Sequence, residues 1–397
     1  MSDIRTHNPI SPPDDNSVGI YIHVPFCRTR CHYCAFVTSP YDPGLEEPYT
    51  SLVIKEMGLW ATGKAREILA QDVLVETIYF GGGTPSLLRS DLIAKIIDAC
   101  HAKFRVIASP EITIEINPAS SHRRALKELR AAGVNRVSLG IQSLNDEDLR
   151  RMGRAHNSRD AVSIFKDIRA VGFDNVSVDL LAGFPGQSMN SVSNSLEQVL
   201  NLGPDHLSVY LFELKEGTRI ESLLRDGKES GSDDDLAADQ YEHICRVTKS
   251  AGYDHYEISN FSRGGHFSRH NLKYWNDEIY LGFGPGAHGM TGRHRYYDLM
   301  DFRQYQQALS RNELPLASLT ELNPFTRFKD ALIMGSRLVE GLSLTRLGAR
   351  YGIDAFAFVD ETAGDLHSGG LYRIVGDTLV LTPRGLLLSN VIFSRWI

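Results

Sequence analysis

Cysteine is scarce in this chain, with five in 397 residues. Five are too few for a disulfide scaffold, and they fit a reducing compartment. Long apolar runs are missing too: none approaches the ~20 residues that cross a bilayer, so stable membrane insertion is not expected. The opening M-S-D-I-R-T-H-N-P-I-S-P-P-D-D-N-S lacks the apolar stretch of a secretion signal. A cytoplasmic location is the expectation. There is no excess of basic residues either. The formal net charge of −7 provides no positive field for a phosphate backbone, so nucleic acid is not an expected partner. No internal repeat stands out beyond an alternation of strand-like and helix-like stretches.

Three of the five cysteines are concentrated in one place. Cys27, Cys31 and Cys34 lie in Y-I-H-V-P-F-C-R-T-R-C-H-Y-C-A-F, a C-x3-C-x2-C spacing. Three thiolates on one loop can hold three corners of a [4Fe–4S] cube, which normally takes four. The corner without a protein ligand is open to an exogenous chelate such as the α-amino and α-carboxylate groups of S-adenosylmethionine (SAM). The alternative is a structural zinc site with His23 or His32 as fourth ligand, crowded into the same few residues. Cys100 and Cys245 stand alone in helix-like stretches and read as small buried hydrophobes.

The first 18 residues, rich in Pro, Asp, Asn and Ser, read as a disordered arm. Strand-like runs follow at 19–24, 76–80, 111–116, 136–140, 175–181 and 205–212. Between them, stretches at 48–63, 86–104, 120–132, 158–171 and 188–202 repeat apolar residues every three or four positions, as amphipathic helices do. Six β–α units in series imply an α/β fold with a parallel sheet. Alternation alone permits a barrel or an open doubly wound sheet. Candidate residues recur just after successive strands, as on the C-terminal rim of a barrel, and six units leave that barrel incomplete. The barrel region is assigned to 19–252, ending after an acidic stretch at 226–239; an extension covers 253–322, and a third region 323–397. That last region pairs compact helices with a hairpin turning at Gly376-Asp377, a helical, winged-helix-like domain that acts as a lid or a partner surface.

Glycines at Gly81-Gly82-Gly83-Thr84-Pro85 permit close backbone approach to a ligand at a strand end, or simply a strained turn. Glu115, Gln142, Arg154 and Asp179 lie on or just beyond later strands. A carboxylate there suits an ammonium or ribose hydroxyl, and Arg154 suits a carboxylate. Tyr21 and Tyr33 flank the cysteines and are candidates to pack on adenine.

These segments, with E-I-T-I-E-I-N-P, R-V-S-L-G-I-Q-S-L-N, S-V-D-L-L-A-G-F-P-G-Q and Y-E-I-S-N-F, occur in the order of the HemN-like radical SAM family, which the chain resembles from Gly19 to its C-terminus. The resemblance implies SAM contacts at Tyr21, Gly82, Gly83, Thr84, Glu115, Gln142, Arg154 and Asp179. Coproporphyrinogen III oxidases of that family carry a further cysteine two positions after the third ligand, where this chain has Phe36. H-N-L-K-Y-W, from His270 to Trp275, is similar to the H-N-x-x-Y-W signature of HemW-type haem chaperones. It implies that His270 binds haem, with Tyr274 and Trp275 as flat walls. His288, in G-F-G-P-G-A-H-G, is a second haem contact or a loop brace. The chain departs from the branch at His32 and Ala35, where Pro and Asp are usual. The resemblance thus implies a haem chaperone carrying a [4Fe–4S] cluster, SAM and haem, with an unidentified acceptor protein as partner. A catalytic radical SAM enzyme, a methyltransferase rather than an oxidase, is the alternative.

Overall fold

The computed structural model describes residues 17–62 and 73–397. Residues 1–16 of the expected arm, and Gly63 at the end of the first expected helix, lie outside them. Six strands follow one another in parallel: β1 Ser17–Val24, β2 Leu74–Gly82, β3 Arg105–Ile116, β4 Arg136–Gln142, β5 Val176–Ala182 and β6 His206–Leu211. Thus Ser17 and Val18 belong to the first strand and not to the arm. Helices α1 Glu46–Trp60, α2 Ser90–Lys103, α3 Arg123–Ala131, α4 Asp146–Arg151, α5 Ser158–Ala170 and α6 Met189–Leu202 fill the crossovers. Helix α4 is too short to register as a period. Asn145, which accepts from the backbone of Glu147 and Asp148, is its start signal.

The strands explain the layering. Along β1, Val18, Ile20, Ile22 and Val24 are fully buried against the helices, while Gly19, Tyr21 and His23 point the other way. On β5, Val176, Val178 and Leu180 alternate with Ser177 and Asp179. The apolar set faces the helices, at roughly 1.5–3 kcal/mol per fully buried aliphatic side chain. The polar set faces the barrel axis.

Helices α7 Arg219–Arg225 and α8 Asp234–Ser250 lead into β7 Asp254–Glu257 and β8 Asn260–Ser262, which extend the sheet beyond β6. After α9 Arg269–Trp275, β9 Ile279–Phe283 runs parallel to β1, and β10 His288–Met290, β11 His294–Asp298 and β12 Leu316–Glu321 continue outward antiparallel. Among the described residues, twelve strands therefore form one sheet ending at β12 and β7. It does not close. The fold is α/β, an incomplete parallel (β/α)6 barrel. Helices Pro324–Gly335, Leu344–Tyr351 and Ala355–Ser368, with a three-stranded sheet including Tyr372–Val375 and Thr378–Leu381, form the C-terminal helical, wing-like domain around Phe328, Leu332, Val359, Leu379 and Trp396. Among the described residues, no helix is long and apolar enough to cross a membrane.

Candidate functional site

The cysteine loop leaves the C-terminal end of β1 and is tied down on several sides. Phe26–Cys27 pairs with Ser39–Pro40 to close its base. His23 Nε2 donates to Val37 O at 2.8 Å. His32 donates from its backbone to Met152 O (3.0 Å) and from Nδ1 to Arg151 O (2.8 Å), and its carbonyl accepts from Ile220 N (2.8 Å). His32 thus braces the loop against the C-terminal end of α4 and the residue after it. Both imidazoles proposed as a fourth zinc ligand are engaged with backbone carbonyls. Among the described residues no group of three His, Cys, Asp or Glu side chains is placed to hold a single metal ion.

Each glycine of the β2 loop is required for a different reason. A Cβ on Gly81 would lie 2.9 Å from the Tyr21 ring and 3.1 Å from Glu115 Oε1. Gly82 has φ +106°, and its Cβ would strike His23 at 2.5 Å. A Cβ on Gly83 would meet the backbone of Pro25 at 2.7 Å and Phe26 O at 2.8 Å. The glycines let the cysteine strand lie directly on the β2 turn. Thr84 Oγ1 then reaches Cys27 Sγ at 3.5 Å.

A cavity of about 560 Å³ opens between the loop and the strand ends, a size suited to a cofactor. Cys27, Cys31 and Cys34 line it, as do Gly82, Gly83, Thr84, Glu115, Gln142, Arg154 and Asp179. Tyr33 lines it as well, its ring edge-on to Phe184. Tyr21 and His270 lie outside the lining. Tyr21 stacks on Tyr79 beneath Gly81. A second cavity, about 650 Å³, opens beside Asn135, Asn175 and His266 and holds none of the candidate residues.

Charge is concentrated in the 560 Å³ cavity. Glu115 accepts from Tyr79 OH (3.0 Å) and Gly82 N (3.2 Å). Burial, with the neighbouring Asp179 carboxylate, pushes Glu115 up to about 7. Burial also raises Asp179, against hydrogen bonds from Ser138 Oγ at 2.9 and 3.2 Å. Gln142 sits at φ +71°, uncommon for a residue with a side chain, at an irregularity between β4 and β5. Its Nε2 and Arg154 Nη2 crowd the space above Gly140, where a Cβ would lie 3.1 and 3.4 Å from them. Arg154 donates to Cys31 Sγ (3.2 Å) and Gly140 O (2.6 Å). Burial pushes the Cys27 and Cys34 thiols up, so their thiolates call for bound positive charge. Cys100 is buried on α2 and Cys245 sits on α8, neither lining this cavity.

His270 is placed differently from its expected role. On α9 it is 1% exposed. Nδ1 lies 2.8 Å from Thr77 Oγ1 and Nε2 2.8 Å from Tyr274 OH, so neither nitrogen is open to an iron atom in this conformation. Burial first, then Lys273 and Arg136, lowers its pKa to about 3 and keeps the ring neutral. Trp275 lies under the Arg337 guanidinium, 4.4 Å from centroid to charge. The exposed His288 ring stacks on Tyr297 at 5.2 Å, and its backbone lies against Gly282. Sequence reasoning passed over Tyr79, Gly140 and the bracing role of His23. For Tyr79 a signal existed: Thr77, Tyr79 and Gly81 share the inward face of β2 by the two-residue period.

Residues 21–199 match the radical SAM superfamily, and residues 322–388 match the HemN C-terminal domain. Over 387 residues the chain is 35% identical to heme chaperone HemW of Mycobacterium tuberculosis, covering 96% of this chain and 95% of that protein. The chain belongs to the HemW family of radical SAM proteins. Heme chaperone HemW of Bacillus subtilis is 31% identical over 95% of this chain and 98% of its own length. Among solved structures, the coproporphyrinogen III oxidase HemN of Escherichia coli superposes with a TM-score of 0.83 at 22% identity, over 96% of this chain and 90% of that one, a likeness of fold.

Proposed function

We propose that the chain is a cytoplasmic haem chaperone that holds a [4Fe–4S] cluster on Cys27, Cys31 and Cys34, binds SAM beside it, and passes haem to an acceptor protein. One observation carries the cofactor half: three thiols, with the other two cysteines elsewhere, line a single cavity together with acidic, amide and guanidinium groups. The donor set fits the group, because three thiolates leave one iron for a chelating ligand. Held by those three cysteines, a cluster would supply an electron to the SAM sulfonium. The chain's own residues do the rest. Gly82 and Gly83 admit a ligand against the backbone, Glu115 and Asp179 suit hydroxyl or ammonium groups, and Arg154 neutralises thiolate or carboxylate charge. The haem half draws on membership of the HemW family, on Phe36 in place of the oxidase cysteine, and on H-N-L-K-Y-W.

A catalytic reading has one observation in its favour: His270 is enclosed and lies outside the cavity lining. The deciding experiment reconstitutes the cluster anaerobically, adds haem and SAM separately, and follows haem absorbance together with 5′-deoxyadenosine release. One-to-one haem without substrate-coupled SAM cleavage supports the chaperone. Cleavage coupled to a substrate, without stoichiometric haem, overturns it.

A further inference from the structure

We infer that Tyr79 is a positioning residue that couples SAM occupancy to haem access, so that SAM bound at Glu115 loosens the enclosure of His270. The inference rests on the reading above of Glu115 as a SAM contact and His270 as a haem contact. Tyr79 touches both. Its hydroxyl donates to Glu115 Oε1 at 3.0 Å, and its ring stacks on His270 with centroids 5.1 Å apart and planes inclined by 27°. The same strand, two residues earlier, holds His270 Nδ1 through Thr77.

The enclosure has a few identifiable ties. Besides Thr77 and Tyr274, Glu111 accepts from the backbone N–H groups of Arg269 and His270 at 3.3 and 3.1 Å, fixing the start of α9. Gly19 gives the imidazole its space, since a Cβ there would lie 3.0 Å from His270 Cε1. For His270 to reach an iron atom, α9 must shift and these bonds must break. A cationic ligand at Glu115 competes with Tyr79 OH for the carboxylate. A hydroxyl that loses its acceptor in a buried setting is costly, and the ring re-orients to find another. That movement removes the nearer of the two rings on which His270 packs, Tyr21 being the other at 6.4 Å. Two sites then bias one element, and by linkage each ligand must raise the affinity of the other by the same factor.

The test uses the full chain with its cluster reconstituted anaerobically. Haem is titrated with and without SAM, SAM is titrated with and without haem, and hydrogen exchange of residues 269–275 is followed on adding SAM alone. Wild type should show a reciprocal factor of roughly fivefold or more and faster exchange in α9. Tyr79→Phe keeps the ring and loses the hydroxyl; it should bind both ligands with a factor near one and show no SAM effect on exchange. If Tyr79→Phe does not fold, wild type decides alone: unchanged exchange of residues 269–275 on adding SAM overturns the inference. Independent binding in wild type, or full coupling in Tyr79→Phe, overturns the inference. Wild type that binds SAM and loosens α9 but takes up no stoichiometric haem sinks the haem reading instead, while the exchange result keeps the Tyr79 link.

Discussion

Arg154 Nη1 donates to Cys31 Sγ across 3.2 Å, joining the segment after α4 to the middle cysteine of the loop. A cation and a hydrogen bond at a cysteine sulfur favour the more negative, reduced form of an attached cluster. Arg154→Gln should therefore shift the cluster midpoint to a more negative potential while iron content stays near wild type. Potentiometric titration followed by EPR reads the shift. An unchanged midpoint would mean that the guanidinium serves only the ligand side of the cavity.

Gly83 should prove more sensitive than a SAM-binding glycine alone. Its missing Cβ would meet the backbone of Pro25 and Phe26, immediately before Cys27. Overpacking against backbone costs about 1–3 kcal/mol and displaces what it strikes. Gly83→Ala should lower iron occupancy as well as SAM affinity. Full iron with weak SAM binding in this variant would show that the loop yields without moving Cys27.

The cysteines divide cleanly. Cys27→Ser, Cys31→Ser and Cys34→Ser should each abolish or strongly reduce cluster absorbance and iron content. Cys100→Ser and Cys245→Ser should retain both, because those thiols lie on α2 and α8 away from the cavity. Full occupancy in any one of the first three variants would refute the three-ligand assignment.

Much of this site could be read from the sequence because its signals are local. The C-x3-C-x2-C spacing marks the loop, and Glu115 and Asp179 are polar residues interrupting strands whose alternate positions are apolar. The parts that could not be read depend on contacts between distant segments. Arg154 meets Cys31 across 123 positions of chain, on a loop that His32 ties to Arg151 and Met152. Tyr21, two residues before His23, points into the barrel axis and stacks on Tyr79 instead of lining the cavity, a consequence of β1 register that no motif encodes. The enclosure of His270 is set by Thr77, 193 positions away in the chain. The continuation of the sheet through β9, parallel to β1, was likewise hidden, since the short run Ile279–Phe283 follows no crossover pattern that names its partner.

One buried pair gives a prediction for stability against pH. Glu56 on α1 is fully buried and accepts from Gly284 N at 3.0 Å and Tyr305 OH at 2.6 Å, while Asp298 on β11 is equally buried beside it. Burial pushes Glu56 up to about 7 and raises Asp298 well above its ordinary value, with the Glu56 carboxylate adding to the rise. Two carboxyls this close share a proton in the folded state. In the unfolded chain both release their protons near pH 4. Above that pH the folded state binds more protons than the unfolded one, so the slope of stability with pH is negative. The pair's contribution is therefore greatest in mild acid and declines as pH rises from about 4 through about 7, and further as Asp298 gives up its proton. Asp298→Asn supplies an amide donor to Glu56 and needs no shared proton. Chemical denaturation of the cluster-bound protein between pH 5 and 9, followed by circular dichroism, should show wild type losing stability with rising pH relative to Asp298→Asn. Parallel curves for the two proteins would place the proton elsewhere.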